Sequence, residues 1–304
     1  MKKLSLLILA LILVFVSCQQ DPIFYDISQE IELNKPSIGG KVVAIKKAEK
    51  SLYAINGNLN YKSFDEKRWR KIRSSGEISS VAIGNDIIYI LDGNTVYSAT
   101  LDEDGKVNSL WDECATEVSR LFDNQAKELD KKNVYIVKNG ELINMDSNSD
   151  LGTSQFVDGT EAKNVVAALY LDGVDYFFGT TACAVSENNF YYASGAEIKC
   201  GDSSSSLNTV STNLSATSMT IFENNLYVGT NSGAFVASIA GSPTSLDFSY
   251  LSGNAESAFG DREILGIWNF DGKDNFFVSV TSASSSLYDA LWGYDSSIDK
   301  WNLE

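Results

Sequence analysis

Six short apolar-aromatic cores recur along this chain at a spacing that few folds accommodate. They are Leu52-Tyr53, Ile88-Tyr89, Val134-Tyr135, Tyr176-Phe177, Leu226-Tyr227 and Phe276-Phe277, separated by 36, 46, 42, 50 and 50 residues. Each lies in a run of β-branched and aromatic residues bounded by Gly, Asn or Asp, which reads as a strand between turns. A repeat of about 40 to 50 residues with several short strands is the signature of a β-propeller blade. A helical repeat of that length would show a 3.6-residue apolar period, and none is visible. The expected fold class is therefore all-β, a β-propeller.

The clearest unit covers residues 225–251. Leu226-Tyr227-Val228 is followed by the turn residues Thr230 to Gly233, an alternating run Phe235 to Ile239, then Gly241-Ser242-Pro243 and a third run from Leu246. In the first two units Asn56-Gly57 and Asp92-Gly93 are hairpin signals, because a tight hairpin turn needs residues that tolerate positive φ. Three prolines against 22 glycines, with 14 Tyr and 15 Phe, suit many short strands joined by glycine and asparagine turns. Residues 164–214 are the least regular part. They hold one enlarged blade, giving six blades in all, which is the expectation, or two compact ones, giving seven.

Residues 1–17 read as a signal peptide. Lys2 and Lys3 form a positive n-region, and Leu4 to Val16 is an apolar run too short to span a bilayer comfortably. The run ends in Phe15-Val16-Ser17-Cys18, which resembles the lipobox of bacterial lipoproteins, with Phe15 where that family prefers Leu. The resemblance implies cleavage before Cys18 and acylation of its thiol, a far better nucleophile than a serine hydroxyl. The acyl chains would then hold the protein on a membrane at about 0.8 kcal/mol per buried methylene. Gln19, where an Asp would retain the protein at the inner membrane, implies an outer-membrane or cell-surface location. The expected organisation is a signal peptide over 1–17, a lipidated tether over 18–38 and a β-propeller domain over 39–304.

Loss of the leader removes Lys2 and Lys3 and leaves 22 basic against 40 acidic residues, a formal charge of −18. Such a chain repels phosphate backbones, so no nucleic-acid partner is expected. The chain has no histidine, which excludes Ser-His-Asp and Cys-His nucleophile systems and the commonest zinc ligand. Paired carboxylates remain open to it, and Asp65, Asp102, Asp104, Asp172, Asp175 and Asp271 are the candidates. Nearly all sit beside Gly, Asn or Lys, where Asp stabilises a turn. Asp146, Asn148 and Asp150 place oxygens at alternate positions, as a calcium loop does, but Gly152 and Val157 depart from the helix-loop-helix calcium pattern. No cofactor is expected, and calcium is the one metal the sequence leaves open. Cys183 and Cys200 either pair across neighbouring strands or remain buried thiols, and with Cys114 they make an odd number in the domain.

Residues Tyr294 to Leu303, Tyr-Asp-Ser-Ser-Ile-Asp-Lys-Trp-Asn-Leu, resemble the end of a kelch repeat, and Tyr61 to Trp69 echo it more loosely. The double glycine of that family is missing. The resemblance implies a short polar turn between the third and fourth strands of a blade, with Trp301 packed between blades. Trp69, Tyr97, Trp111, Tyr192, Trp268 and Trp292 are expected either to fill such gaps or to line a ligand surface. The function expected is that of a membrane-anchored, non-enzymatic and monomeric binding module of the cell envelope, with a protein or carbohydrate partner. The alternatives are a scaffold subunit of an envelope assembly complex and a carboxylate-based glycosidase or lyase.

Overall fold

The computed structural model describes residues 38–304 except Lys67, 127–130, 146–154, 242–243, 252–254, Asp261, Asp271 and 282–288. The described chain is all-β and propeller-like. Strands β1 (Ala44–Ala48), β2 (Ser51–Ile55), β3 (Gly57–Ser63), β4 (Arg70–Gly84), β5 (Ile87–Asp92), β6 (Thr95–Thr100) and β7 (Asp112–Ala115) follow one another in one antiparallel meander. β4 serves both halves of this one sheet: its first half pairs with β3, through Tyr61↔Arg70, and its second half with β5, through Gly84↔Ile87. Its burial changes accordingly, from an exposed basic segment to the buried run Val81 to Gly84. The meander is thus two four-stranded units sharing a continuous strand.

Three strands make the next sheet, β8 (Val118–Asp123), β9 (Val134–Lys138) and β10 (Glu141–Asn144). The one after it holds β11 (Gln155–Phe156), β12 (Ala167–Leu171) and β13 (Val174–Phe178), with β11 parallel to β13. Then come three four-stranded antiparallel sheets: β14 (Cys183–Val185), β15 (Phe190–Ser194), β16 (Glu197–Gly201) and β17 (Leu207–Thr212); β18 (Ala216–Phe222), β19 (Asn225–Thr230), β20 (Gly233–Ser238) and β21 (Ser249–Tyr250); and β22 (Glu263–Asn269), β23 (Phe276–Thr281), β24 (Ala290–Asp295) and β25 (Lys300–Leu303). Residues 164–214 therefore belong to two sheets and not to one enlarged one.

The core lies between sheets, because most inner strands bury both faces. In β5, Ile88 and Ile90 pack with Tyr53 and Ile55 of the first unit, while Tyr89 and Leu91 pack with Leu121 and Ile136 of the third. This two-sided burial makes Ile87 to Leu91 a continuous apolar run instead of an alternating one. Phe122, Tyr135 and Phe177 fill the next gap, Tyr176, Phe178, Phe190 and Tyr192 the one after, then Tyr191, Ile198, Leu226 and Val228. Phe276, Val278 and Trp301 join Ala234 between the last two sheets. A further cluster joins the first sheet to the last, with Ile45, Leu52 and Trp69 against Phe277 and Leu291.

Turn chemistry sets the registers. Asn139-Gly140 and Asp172-Gly173 both have positive φ at two consecutive residues, as a type I′ hairpin requires. Asn85-Asp86 and Glu223-Asn224 do the same without glycine. At Asp92-Gly93 the paired residues are Asp92 and Thr95, so Gly93-Asn94 form the turn.

Candidate binding cleft

A concavity lies between the last two sheets. Strand register builds one wall: Tyr294 pairs with Trp301, and Phe276 precedes the Phe277↔Gly293 pair, so Phe276, Tyr294 and Trp301 form a stripe across β23, β24 and β25. Their rings are tilted against one another, with centroids 5.4 Å apart between Phe276 and Trp301 and 5.1 Å apart between Tyr294 and Trp301. The opposite wall is Tyr227 of β19, its cross-strand partner Val236 of β20, and Leu251. Tyr227 meets Phe276 at 4.7 Å, closing the floor. The cleft encloses about 170 Å³, with Phe222 and Lys273 also lining it.

Trp301 is almost wholly buried, whereas Tyr227, Tyr294 and Val236 are half-exposed along the opening. The rim is held by carboxylates. Tyr294 donates to Asp299, and this bond, more than burial, pushes the phenol up to about 12. Asp274 accepts the Ser296 backbone N–H at 2.8 Å, and hydrogen bonding by the Ser296 side chain first and this N–H second keeps its carboxyl below the usual range. Lys273 is exposed and brings the one cationic group among the lining residues. The arrangement can grip an apolar or aromatic group against five rings and place a negative charge beside an ammonium.

A second polar assembly lies where the first strands of successive sheets meet, β1 on β4, β4 on β8 and β8 on β12. Lys46 Nζ of β1 contacts Asp123 Oδ1 of β8 at 2.7 Å. The Ile83 N–H of β4 donates to Asp123 Oδ2 and the Gln125 N–H to Oδ1. Next to it Asp175 is buried and accepts from Asn124 Nδ2, Asn133 Nδ2 and the Tyr135 hydroxyl, stitching the third sheet to the fourth. Lys132 Nζ reaches the Lys47 carbonyl at 3.5 Å.

The residues singled out in the sequence are dispersed. Cys18, the calcium-loop residues Asp146, Asn148 and Asp150, and Asp271 lie outside the described residues. Asp102 caps its own turn, accepting from the Asp104 and Lys106 N–H groups, and Asp104 pairs with Lys50. Asp65 and Asp172 occupy exposed turns. Among the described residues no group of three or more Cys, Asp or Glu side chains gathers as a metal site.

The pairing considered for Cys183 and Cys200 is corrected by the register. Cys183 lies opposite Tyr192, and Cys200 opposite Tyr191, with β15 between them. Tyr191 and Tyr192 point to opposite faces, so the two thiols do as well, and both are free. Of the aromatics, Trp69 and Tyr192 are core, Trp268 and Trp292 pack against core clusters, and Tyr97 and Trp111 hold the Arg73 guanidinium at 4.4 and 5.3 Å. None of these forms the cleft. Its rings come instead from the strand cores at Tyr227 and Phe276 and from the kelch-like segment. Lys46, Asp123 and Lys132 carried no sequence signal beyond their charge.

Comparison with known proteins adds a class to this geometry. Residues 4–109 match the TP013X lipoprotein family. A lipoprotein of Treponema pallidum (strain Nichols) is 32% identical over 89 residues, which is 28% of this chain and 24% of that one. The chain thus spans about a quarter of that relative's length. Both matches support a bacterial lipoprotein. Among solved structures, the computationally designed Ika8 protein superposes with a TM-score of 0.52 at 13% identity, covering 87% of this chain and 86% of that one. The WD40 domain of Neurospora crassa Pan2 superposes at 0.49 and 9% identity, covering 84% and 89%.

Proposed function

We propose that this chain is a lipid-anchored, non-enzymatic binding module of the cell envelope, monomeric and facing the outer membrane or the cell surface. Acylation at Cys18 is the anchor, residues 18–38 are the tether, and residues 39–304 form a ring of seven blades, counting β4 in two. The lipoprotein matches support the anchor, and the compact unit beginning at Ser37 supports the boundary. The cluster shared by the first and last sheets supports a closed ring.

The observation that carries the binding reading is the open aromatic cleft between β18–β21 and β22–β25. Its volume suits one large side chain and not a drug-sized ligand, for which about 300 Å³ or more is usual. Its exposed lining divides almost evenly between polar and apolar surface, with the Tyr294 hydroxyl already committed to Asp299 and the Lys273 ammonium at the edge. The occupant is therefore a protein partner that inserts an apolar side chain next to an acidic one.

Two experiments test this reading. Cys18→Ala should move the protein from the membrane to the soluble fraction, and a protein that fractionates identically with and without Cys18 would remove the anchor. The mature chain, probed on peptide and glycan arrays, should bind peptides with an apolar residue beside Asp or Glu. Lys273→Glu should weaken that binding at least tenfold; glycan-only hits, or binding indifferent to Lys273, would overturn the cleft.

A further inference from the structure

The outer strand beside the aromatic cleft carries recognition groups of another kind, and they belong to its backbone. Tyr227 of β19, Val236 of β20 and Ser249 of β21 pair in register and make one row across the sheet on its cleft face. The row runs from a ring to a branched chain to a small, exposed serine, so its outer end is unfilled. Leu251, two residues after Ser249, lines the cleft as well.

The register also fixes where the β21 backbone points. The Leu251 N–H donates to the Ala234 carbonyl at 3.1 Å, so these two residues form a hydrogen-bonded pair and the adjoining pair, Tyr250 with Phe235, is of the other kind. The Tyr250 N–H and C=O therefore point away from β20. They meet no hydrogen-bond partner among the described residues, and Tyr250 is 58% exposed. Charged side chains blunt the outermost strand of other units: Arg70, Lys71 and Arg73 in β4, Asp112 and Glu113 in β7, Glu141 in β10 and Lys300 in β25. β21 carries none.

We infer that the partner of the cleft binds as an extended strand laid along β21, its backbone hydrogen-bonded to the Tyr250 N–H and C=O. This mode rests on the cleft being the binding site, as proposed above, and adds the conformation of the occupant. Side chains of an added strand alternate between faces, so its residues two apart point to the cleft side. One of them continues the row beyond Ser249 and supplies the apolar group, opposite the wall of Tyr294 and Trp301. The residue between them faces Tyr250. A helical partner bonds its N–H and C=O groups internally and has none to offer β21.

The mature full chain is titrated with the tightest-binding array peptide, cut to about seven residues and resynthesised with one N-methyl group at each backbone position in turn. N-methylation should weaken binding at least tenfold at one position, or at positions two apart, and by less than about threefold at the immediate neighbours, because only alternate N–H groups face β21. Tyr250→Pro removes an outward N–H and leaves the bonds to β20 in place, and it should weaken binding at least tenfold. Tyr250→Ala, which keeps the N–H, should bind within about threefold of the wild type. Thermal unfolding of each variant checks the fold, and the N-methyl series on the wild type decides alone if Tyr250→Pro does not fold. Binding that depends on Lys273 but shows no alternation along the peptide, or that Tyr250→Pro leaves undiminished, would overturn the added strand and leave the cleft standing. An array that returns no peptide would overturn both.

Discussion

Gly229 and Gly173 separate two reasons for a glycine. Gly229 lies in β19 where a Cβ would stand 2.5 Å from Ile264 Cγ2 of the next sheet, so its missing side chain is what lets the two sheets approach. Gly173 has φ +83 with nothing within 4 Å of a built Cβ, and its demand is purely conformational. Gly229→Ala should destabilise by about 1 to 3 kcal/mol through overpacking, and Gly173→Ala by about 1 kcal/mol through backbone strain. Equal midpoint shifts in urea for the two would contradict the distinction. The cysteines also differ by position. Burial pushes the Cys183 thiol up to about 12, whereas Cys114 is exposed. A thiol reagent at pH 8 should label Cys114 at once and Cys183 only after unfolding, because the thiolate is the reactive form. The pH sign follows. The folded state holds the Cys183 proton more tightly than the unfolded chain, so its contribution is complete below about 9 and is lost as pH rises toward about 12. Tyr294, raised to about 12, acts in the same direction above about 10. Stability should therefore fall across that window, by about 1.4 kcal/mol per pH unit from Cys183 and by less from the solvent-screened Tyr294, measured as urea midpoints between pH 8 and 11.

At the scale of elements, the strands were legible and their partners were not. Each of the six apolar-aromatic cores falls in a strand, since β-branched and aromatic runs bounded by turn residues leave the backbone little choice. Within residues 164–214 the sequence also reads Phe190 to Ala193 and Glu197 to Cys200 as a hairpin, and these runs form one. Three things were hidden. Nothing local shows that β11 runs parallel to β13, because that pairing is made by a strand that arrives from earlier in the chain. Nothing local divides the single run Arg70–Gly84 between the two four-stranded units of the meander. The turn pairs Asn85-Asp86 and Glu223-Asn224 lack the glycine that marks a hairpin most clearly. The cleft was half visible: Tyr294 and Trp301 belong to a segment whose polar turn and buried tryptophan were anticipated, but the facing wall of Tyr227 and Val236 depends on how two sheets meet. Asp175 shows the same dependence. In sequence it is one aspartate beside a turn, and in the fold it accepts three hydrogen bonds, from Tyr135 of β9 and from Asn124 and Asn133 between β8 and β9. Asp175→Ala should cost about 3 kcal/mol or more by leaving buried donors unpaired. Asp175→Asn, which keeps one acceptor oxygen, should cost less, and chemical denaturation of both variants orders them.

Across the whole molecule, the first and last sheets are joined by more than apolar contact. Glu304, following β25, accepts hydrogen bonds from Lys62 of β3 and from Trp69 Nε1 at 3.1 Å. The Ile38 N–H reaches the Glu304 carbonyl at 3.4 Å. The Lys62 ammonium lies 5.7 Å from the Trp69 ring and 5.4 Å from Phe277, so residues from both ends of the described chain surround one ion pair. Its side chains are only 11% and 17% exposed, which makes it a buried pair whose members depend on each other. Removing one partner strands a charge, at a cost of about 3 to 5 kcal/mol, whereas replacing both by apolar residues of similar size is often near neutral. Glu304→Met should therefore lower stability strongly, and Lys62→Met with Glu304→Met should recover a large part of the loss. If the pair closes the ring, Glu304→Met should also broaden the unfolding transition, because sheets at a freed seam can open before the rest. Additive single and double variants in a denaturation cycle, with an unchanged transition width, would show that the seam is held by the cluster of Ile45, Leu52, Phe277 and Leu291 alone.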